Sequence, residues 1–368
     1  MIAKRLGRGL QILLHRFDSD SRLHFPSTEM NETVTPDEMA RLLLHHPGRL
    51  VFVAHVNPDG DGAGSALALA GALRSVGKNT VCAGLEAMSD EYDYLEGISD
   101  NIPASDFTPL PGDAMVVIDC GATGRLVPAM QPHVEGAVIF CIDHHKDYSG
   151  FANYAFISEK SGSAAELVMS VIEAAGWQIT RGIAEALWTG IVTDTGRFSY
   201  SSATPETFRR AARLLEAGAR FDQINERIFN RMDLRRFRLR NRLLASFELS
   251  CDGKIAIASL GPEDYAAENC DLNDSENFID IVRGVKGVEI AVFVREPLPN
   301  KTAYVSMRTT EKFDAAQICK TEWNGGGHAR AAGAVIPGEI AEVRPEITKR
   351  LRQIIAGSKN SGVKASSK

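Results

Sequence analysis

The chain has 368 residues, 44% of them hydrophobic and 24% charged, with a formal net charge of −6, which is length and composition for two ordinary globular domains. A chain this acidic grips long nucleic acid poorly, because polyanionic phosphates call for a basic surface; a short anionic ligand needs only a local basic pocket. No apolar run is long enough for a bilayer span, and six cysteines (Cys82, Cys120, Cys141, Cys251, Cys270, Cys319) with no CxxC pair suit a reduced, cytoplasmic protein without membrane contact.

Residues 1–35 open with a basic stretch around Leu10–Leu14 and continue as a polar Ser/Asp/Thr segment. The apolar run is too short for a signal h-region and lacks a small-residue cleavage site, so 1–35 reads as an extension outside the fold. Thr35-Pro36-Asp37-Glu38 marks a helix start, with Thr as cap and Pro in the first turn. Leu50–Ala54 is then a strand, Gly64–Val76 a helix stopped by Gly77, and Thr80–Leu85, Met115–Ile118 and Ala137–Ile142 are strands. Helices are expected at Ser163–Ala175, Ile183–Val192 and Pro205–Ala217. Fully apolar strands alternating with helices predict an α/β domain over 36–220, its parallel sheet covered by helices on both faces. Residues 221–248 are helical and charged, with the run Arg235–Arg242, and read as a linker whose basic face is solvated. A smaller α/β domain follows over 249–357: a hairpin at Asp252-Gly253, a strand pair Val288–Arg295 and Thr302–Arg308, and helices at Phe313–Thr321 and Glu339–Ile355. The Ser/Gly/Lys-rich tail 358–368 reads as disordered.

Four segments end an apolar run on an acid, a histidine or both: His55-Val56-Asn57-Pro58-Asp59-Gly60-Asp61, Asp119, Asp143-His144-His145, and Asp194 in Thr193-Asp194-Thr195-Gly196. Asp-Gly is common in turns, an Asp at a strand end often caps the next helix, and His-His pairs occur by chance, as at His45-His46. One such segment is weak; four in an alternating α/β pattern are strong, since open sheets place their sites at strand ends. Converging carboxylates repel one another unless protonated or neutralised by cations, so these segments ask for metal if they meet. Imidazole and carboxylate without thiolate suit Mn²⁺ better than structural Zn²⁺, with Mg²⁺ as the alternative. A pair of ions about 3.5–4 Å apart would activate water and clamp a phosphoryl group. The second signal is Asn324-Gly325-Gly326-Gly327-His328, where consecutive glycines let backbone N–H groups approach an anion, with Arg308 and Arg330 nearby in sequence. It is not a P-loop, because no Gly-Lys-Ser/Thr follows.

Together these residues resemble the DHH/DHHA1 phosphoesterases over roughly residues 36–357. The motifs are His55-Val-Asn-Pro-Asp59-Gly-Asp61 with Gly64-Ser65, Val117-Ile118-Asp119, Asp143-His144-His145, Thr193-Asp194-Thr195-Gly196-Arg197-Phe198, Val305-Ser306-Met307-Arg308 and Gly325-Gly326-Gly327-His328. The resemblance implies a DHH domain and a DHHA1 domain with a cleft between them, and a centre of two divalent ions, Mn²⁺ first. His55, Asp59 and Asp119 would hold one ion; Asp61, Asp119, His144 and Asp194 the other. His145 would serve the scissile phosphate as hydrogen-bond donor or general acid, and Asn57 and Asp143 would orient ligands rather than bind metal. Arg308, Gly325, Gly326, Gly327 and His328 would hold the far end of the substrate. Within the family the chain looks like the stand-alone nanoRNase and pAp phosphatase type, which hydrolyses very short oligonucleotides and 3′-phosphoadenosine 5′-phosphate (pAp). A soluble phosphodiesterase of cyclic or linear dinucleotides shares the same motifs, and a non-catalytic nucleotide-binding module ranks lower because every ligand position is filled. The family makes a homodimer plausible, although no residue here demands one.

Overall fold

The computed structural model describes residues 31–86 and 90–362, with side chains to 357. The chain divides into two compact units, one ending at Asn230 and the other beginning at Arg231. The stretch read as a linker is therefore shared: a helix at Phe221–Asn225 and a π-turn at Glu226–Asn230 close the first unit, and the helix Leu234–Ala245 opens the second. No helix among the described residues is long and apolar enough to cross a membrane.

The first unit is built on six parallel strands: β1 (Glu32–Thr33), β2 (Leu50–Val53), β3 (Thr80–Cys82), β4 (Ala114–Ile118), β5 (Val138–Asp143) and β6 (Tyr154–Ile157). They lie in the order β1-β6-β5-β4-β2-β3. β2 and β4 are buried along their whole length, as a sheet covered on both faces requires. Their side chains alternate between two cores. Leu50, Phe52, Val116 and Ile118 join one core with the helices Pro36–His45, Gly60–Ser75, Ala164–Ala174 and Arg181–Asp194. Val51, Val53, Met115 and Val117 join the other with Ala104, Phe107, Leu126 and Met130. The second face is thus closed by loops and by short 3₁₀ turns such as Thr123–Arg125 and Gln131–Val134, where the sequence predicts α-helices.

Helix starts follow local chemistry. Thr35 accepts from Glu38 N and Glu38 returns a carboxylate to Thr35 N at 2.8 Å, a reciprocal cap that satisfies two end donors. Ser163 and Thr180 cap later helices by accepting from Glu166 N and Ile183 N, and Thr204 forms a reciprocal cap with Thr207. Two strands escape the sequence pattern: β6, and β1, which falls in the segment read as extension. Glu32 and Thr33 pair with Tyr154 and Ala155, and Val34 is buried in the core. Residues 31–35 therefore belong to the fold, while 1–30 lie outside the described residues.

The second unit holds β7 (Glu248–Ser250), β8 (Ile255–Leu260), β9 (Ile290–Arg295), β10 (Thr302–Thr309), β11 (Gly326–His328) and β12 (Ala331–Pro337) in the order β11-β12-β10-β9-β8-β7. Only β8 and β9 pair in parallel. One face packs on the helices Ala315–Trp323 and Ile340–Gly362 through Ile318, Ile347 and Leu351. That last helix runs to Gly362, into the tail read as disordered, and 363–368 lie outside the described residues. The glycine run is an edge strand of a hairpin, β11–β12.

Candidate metal centre

Chain order in the first sheet fixes the place. The chain leaves β2 toward β3 on one side and returns to β4 on the other, so β2 and β4 flank a switch point whose carboxyl end is open to a ligand. Three of the four sequence segments begin there. His55 follows β2, Asp119 follows β4, and Asp143 ends β5 with His144 and His145 behind it. Asp194 arrives from elsewhere, as the last residue of the helix Arg181–Asp194.

Backbone geometry matches residue type. Asn57 and Asp119 both adopt φ of 54°, the left-handed region that Asn and Asp tolerate best among residues with a Cβ. Asp59 caps the helix Gly60–Ser75 and accepts from the N–H groups of Asp61 and Gly62 at 3.0 Å. Asp61 lies in the first turn of that helix and is fully buried. Its carboxylate accepts from Ala164 N at 2.6 Å, Ala165 N at 2.8 Å and Ser65 Oγ at 3.2 Å, so the start of another helix grips it. Sequence reasoning finds a helix start at Ser163 but not this contact, whose partners lie more than 100 residues apart.

The donors converge. His55 Nε2 lies 3.8 Å from Asp59 Oδ1 and 3.7 Å from Asp119 Oδ2. Its Nδ1 donates to the Val56 carbonyl at 2.9 Å, so Nε2 is the nitrogen turned toward the carboxylates. His144 Nε2 lies 3.2 Å from Asp194 Oδ2, 3.4 Å from Asp119 Oδ1 and 3.9 Å from Asp61 Oδ2. Two sets, His55/Asp59/Asp119 and Asp61/His144/Asp194, each bring their ligand atoms within 4.8 Å of one another and are able to hold a metal ion. Asp119, His144 and His145 form a third such grouping. Asp143 belongs to none of these sets. Its Oδ1 accepts from the N–H groups of His144 and His145 and from His145 Nδ1 at 2.7 Å, locking that ring in place.

The electrostatics of the metal-free centre test whether cations fit. Burial raises the Asp61 pKa to about 7, with the Asp119 charge adding to it. Burial, Asp61 and Asp119 hold Asp194 well above the usual carboxylate range. Burial opposes charge on the imidazoles, yet Asp59 and Asp119 push His55 up to about 9, and Asp119, Asp194 and Asp61 push His144 up to about 10. The centre therefore holds protons where it lacks other positive charge. Asp119 Oδ1 is buried without a hydrogen-bond partner, its polar neighbours being His144 Nε2 and His145 Nδ1 at 3.4 Å. A buried acceptor left open beside imidazole nitrogens fits a ligand to a cation.

Residues 49–191 match the DHH family, N-terminal domain, and residues 252–357 match the DHHA1 domain. A bifunctional oligoribonuclease and PAP phosphatase, NrnA, from Thermus thermophilus is 32% identical over 84% of this chain and 94% of its own length. The chain belongs to the DHH/DHHA1 phosphoesterase family. The NrnA of Bacillus subtilis is 24% identical over 78% of this chain and 89% of its own length. An exopolyphosphatase-related protein from Bacteroides fragilis has the same fold, with a TM-score of 0.80 at 26% identity over 88% of this chain and 97% of its own. The DHH match holds His55, Asp59, Asp61, Asp119, His144 and His145 but ends three residues before Asp194. The DHHA1 match holds Arg308, Gly325, Gly326, Gly327 and His328. In that DHHA1 unit His328 pairs with Ala331 and Ala331 with Arg308, which sets the histidine and the arginine in one row on one face of the sheet.

Gly190 is a residue of the DHH centre that its sequence motifs do not flag. A Cβ there would lie 2.6 Å from Asp61 Oδ1 and 2.7 Å from the Ala165 methyl. On an open helix face Gly→Ala stabilises by about 1 kcal/mol. Here the sign should invert: Gly190→Ala is expected to cost about 1–3 kcal/mol through overpacking. Thermal denaturation with and without divalent metal checks this, and an unchanged or raised Tm would show that the helices part freely around Asp61.

Proposed function

We propose that this phosphoesterase hydrolyses very short oligonucleotides to mononucleotides and removes a phosphate from pAp, as the names of its NrnA relatives describe for those proteins. The observation that carries the reading is the pair of three-residue ligand sets joined through Asp119, whose Oδ2 lies 3.7 Å from His55 Nε2 and whose Oδ1 lies 3.4 Å from His144 Nε2. In it, His55, Asp59 and Asp119 hold one divalent ion and Asp61, Asp119, His144 and Asp194 the other, with Mn²⁺ favoured by the donor chemistry. Bound there, such ions supply an activated water and neutralise phosphoryl charge.

The chain's own groups do the rest. His145 is fixed through Nδ1 by Asp143, and in this reading Nε2 serves the substrate. Burial works against its charge, but the Asp143 hydrogen bond and the Asp119 charge outweigh this and raise its pKa. An imidazolium kept at neutral pH suits a proton donor to the leaving oxygen. Asn57 and Asp143 act as orienting groups. In the second unit, Arg308, His328 and the backbone at Gly325–Gly327 take the part of the substrate that is not cleaved.

Metal binding in this scheme expels protons. His55 and His144 stay protonated below about 9 and 10, and Asp61 below about 7, so ligation must displace those protons and affinity should rise with pH from 6 toward 9. Titration calorimetry of Mn²⁺ at pH 7.5 in two buffers of different ionisation enthalpy is expected to show release of about two protons or more. Equal heats in the two buffers would exclude this ligand set.

The function itself is tested with a 5′-labelled RNA dinucleotide, an RNA 24-mer and pAp, side by side, in Mn²⁺ and in EDTA. Rapid metal-dependent loss of the dinucleotide and pAp with the 24-mer nearly untouched is expected. Inertness toward all three refutes the proposal.

A further inference from the structure

Asp61 is gripped by the first turn of the helix Ala164–Ala174, whose N–H groups at Ala164 and Ala165 donate to its carboxylate. The next residue of that turn, Glu166, carries a carboxylate that is 4% exposed and belongs to none of the ligand sets. A buried anion is costly unless hydrogen bonds and a counter-charge satisfy it, so its partners define its role. Oε1 accepts from Thr207 Oγ1 at 2.8 Å, and the Gly162 N–H also donates to the carboxylate. Arg210 supplies the counter-charge, with Nε 3.9 Å from Oε2. Its other nitrogens donate to the Glu166 carbonyl and, at 2.8 Å, to Ser170 Oγ.

Gly162 is where the supporting segments meet. A Cβ there would lie 2.8 Å from Glu166 Oε1, 2.9 Å from the Ser202 carbonyl oxygen and 3.3 Å from Thr195 Cγ2, so only glycine lets the chain pass this close. Thr195 directly follows Asp194 and is fully buried. One carboxylate thus ties together the turn that holds Asp61, the helix Pro205–Glu216 through Thr207, and, across Gly162, the residue behind Asp194. Asp61 and Asp194 belong to one ligand set, with His144. The residues of the other set, His55, Asp59 and Asp119, follow β2 and β4 and lie on none of the clamped segments. The clamp therefore bears on one set and not on the other.

We propose that Glu166 is a positioning residue for the ion of the Asp61/His144/Asp194 set: it fixes the spacing of Asp61 and Asp194 without being a ligand itself. This rests on the two-ion centre proposed above. Groups that orient metal ligands from behind set affinity nearly as strongly as the ligands do.

The test is Mn²⁺ binding to the full, metal-free chain, with free Mn²⁺ read from its EPR signal so that no turnover is involved. Wild-type protein is expected to bind two ions. Glu166→Leu is expected to weaken one ion about 10–100-fold and to leave the other within about twofold. Glu166→Gln keeps an acceptor for Thr207 and Gly162 and should restore most of the loss. Thr207→Val removes one hydrogen-bond donor and keeps the side chain's shape. It should weaken the same ion by a smaller factor, and it carries the test if Glu166→Leu does not fold. Asp61→Asn identifies the ion: in that background Glu166→Leu should change the remaining affinity by less than about twofold. Leu214→Ala, a core truncation two turns beyond Thr207 in the same helix, should lower Tm and leave both affinities unchanged. Equal weakening of both ions by Glu166→Leu, or the same selective loss in Leu214→Ala, makes Glu166 a packing residue and overturns the proposal. Unchanged affinities in Glu166→Leu and Thr207→Val overturn it as well, and leave the two-ion centre standing. Wild-type protein that binds fewer than two ions refutes that centre, and the proposal with it.

Discussion

Asp119→Asn is expected to cut turnover by about 10³-fold or more while the protein stays folded. Asparagine is the informative choice because Asp119 sits at φ 54°, where Asn is tolerated and Ala is strained. The variant keeps the shape of the side chain and removes the charge that faces His55 on one side and His144 on the other. The same charge repels Asp61 and Asp194 but attracts the protonated His55 and His144, so its removal exchanges relieved repulsion for lost attraction in the metal-free protein. Thermal denaturation in EDTA should then still show one cooperative transition. Retained activity would remove the shared-ligand centre. Loss of that transition would make Asp119 a structural residue whose loss says nothing about metal.

His145→Ala should lower kcat by about 10²–10⁴-fold toward a natural dinucleotide, the range for loss of a positioned proton donor. It should matter far less for a p-nitrophenyl nucleotide ester, whose leaving group departs without a proton. The wild-type rate should fall on the alkaline side, because His145 works as the imidazolium and its pKa is held above the ordinary 6.5. Asp143→Asn weakens that hold and should move the alkaline limb to lower pH. Equal losses on both substrates would reassign His145 to phosphate or metal binding.

Sequence alone points to the candidate centre, because its four segments follow the ends of buried strands or a helix and such ends need no tertiary knowledge to find. Val116, Val117 and Ile118 announce β4, and Asp119 is where that pattern breaks. The supports of the centre were hidden. Asp61 is held by Ala164 and Ala165, which look like any helix start, and Gly190 looks like any small residue in an apolar helix. What joins them is packing between helices, which has no local signal. The helices expected on the second sheet face were inferred from alternation, whereas short connections closed by 3₁₀ turns bury Leu126 and Met130 as effectively. The glycine run carries no strand signal in its composition, and only its pairing with β12 places it in a sheet.

The two-residue strand β1 carries a practical consequence. Its partner, β6, would otherwise present a bare rim of amide and carbonyl groups, the template on which partly folded chains stick to one another. Trimming the chain at Thr35, where its polar composition invites a cut, would strip that rim and empty the place of Val34. The shortened protein should fail first by aggregating during production, with its chemistry still intact in whatever remains in solution.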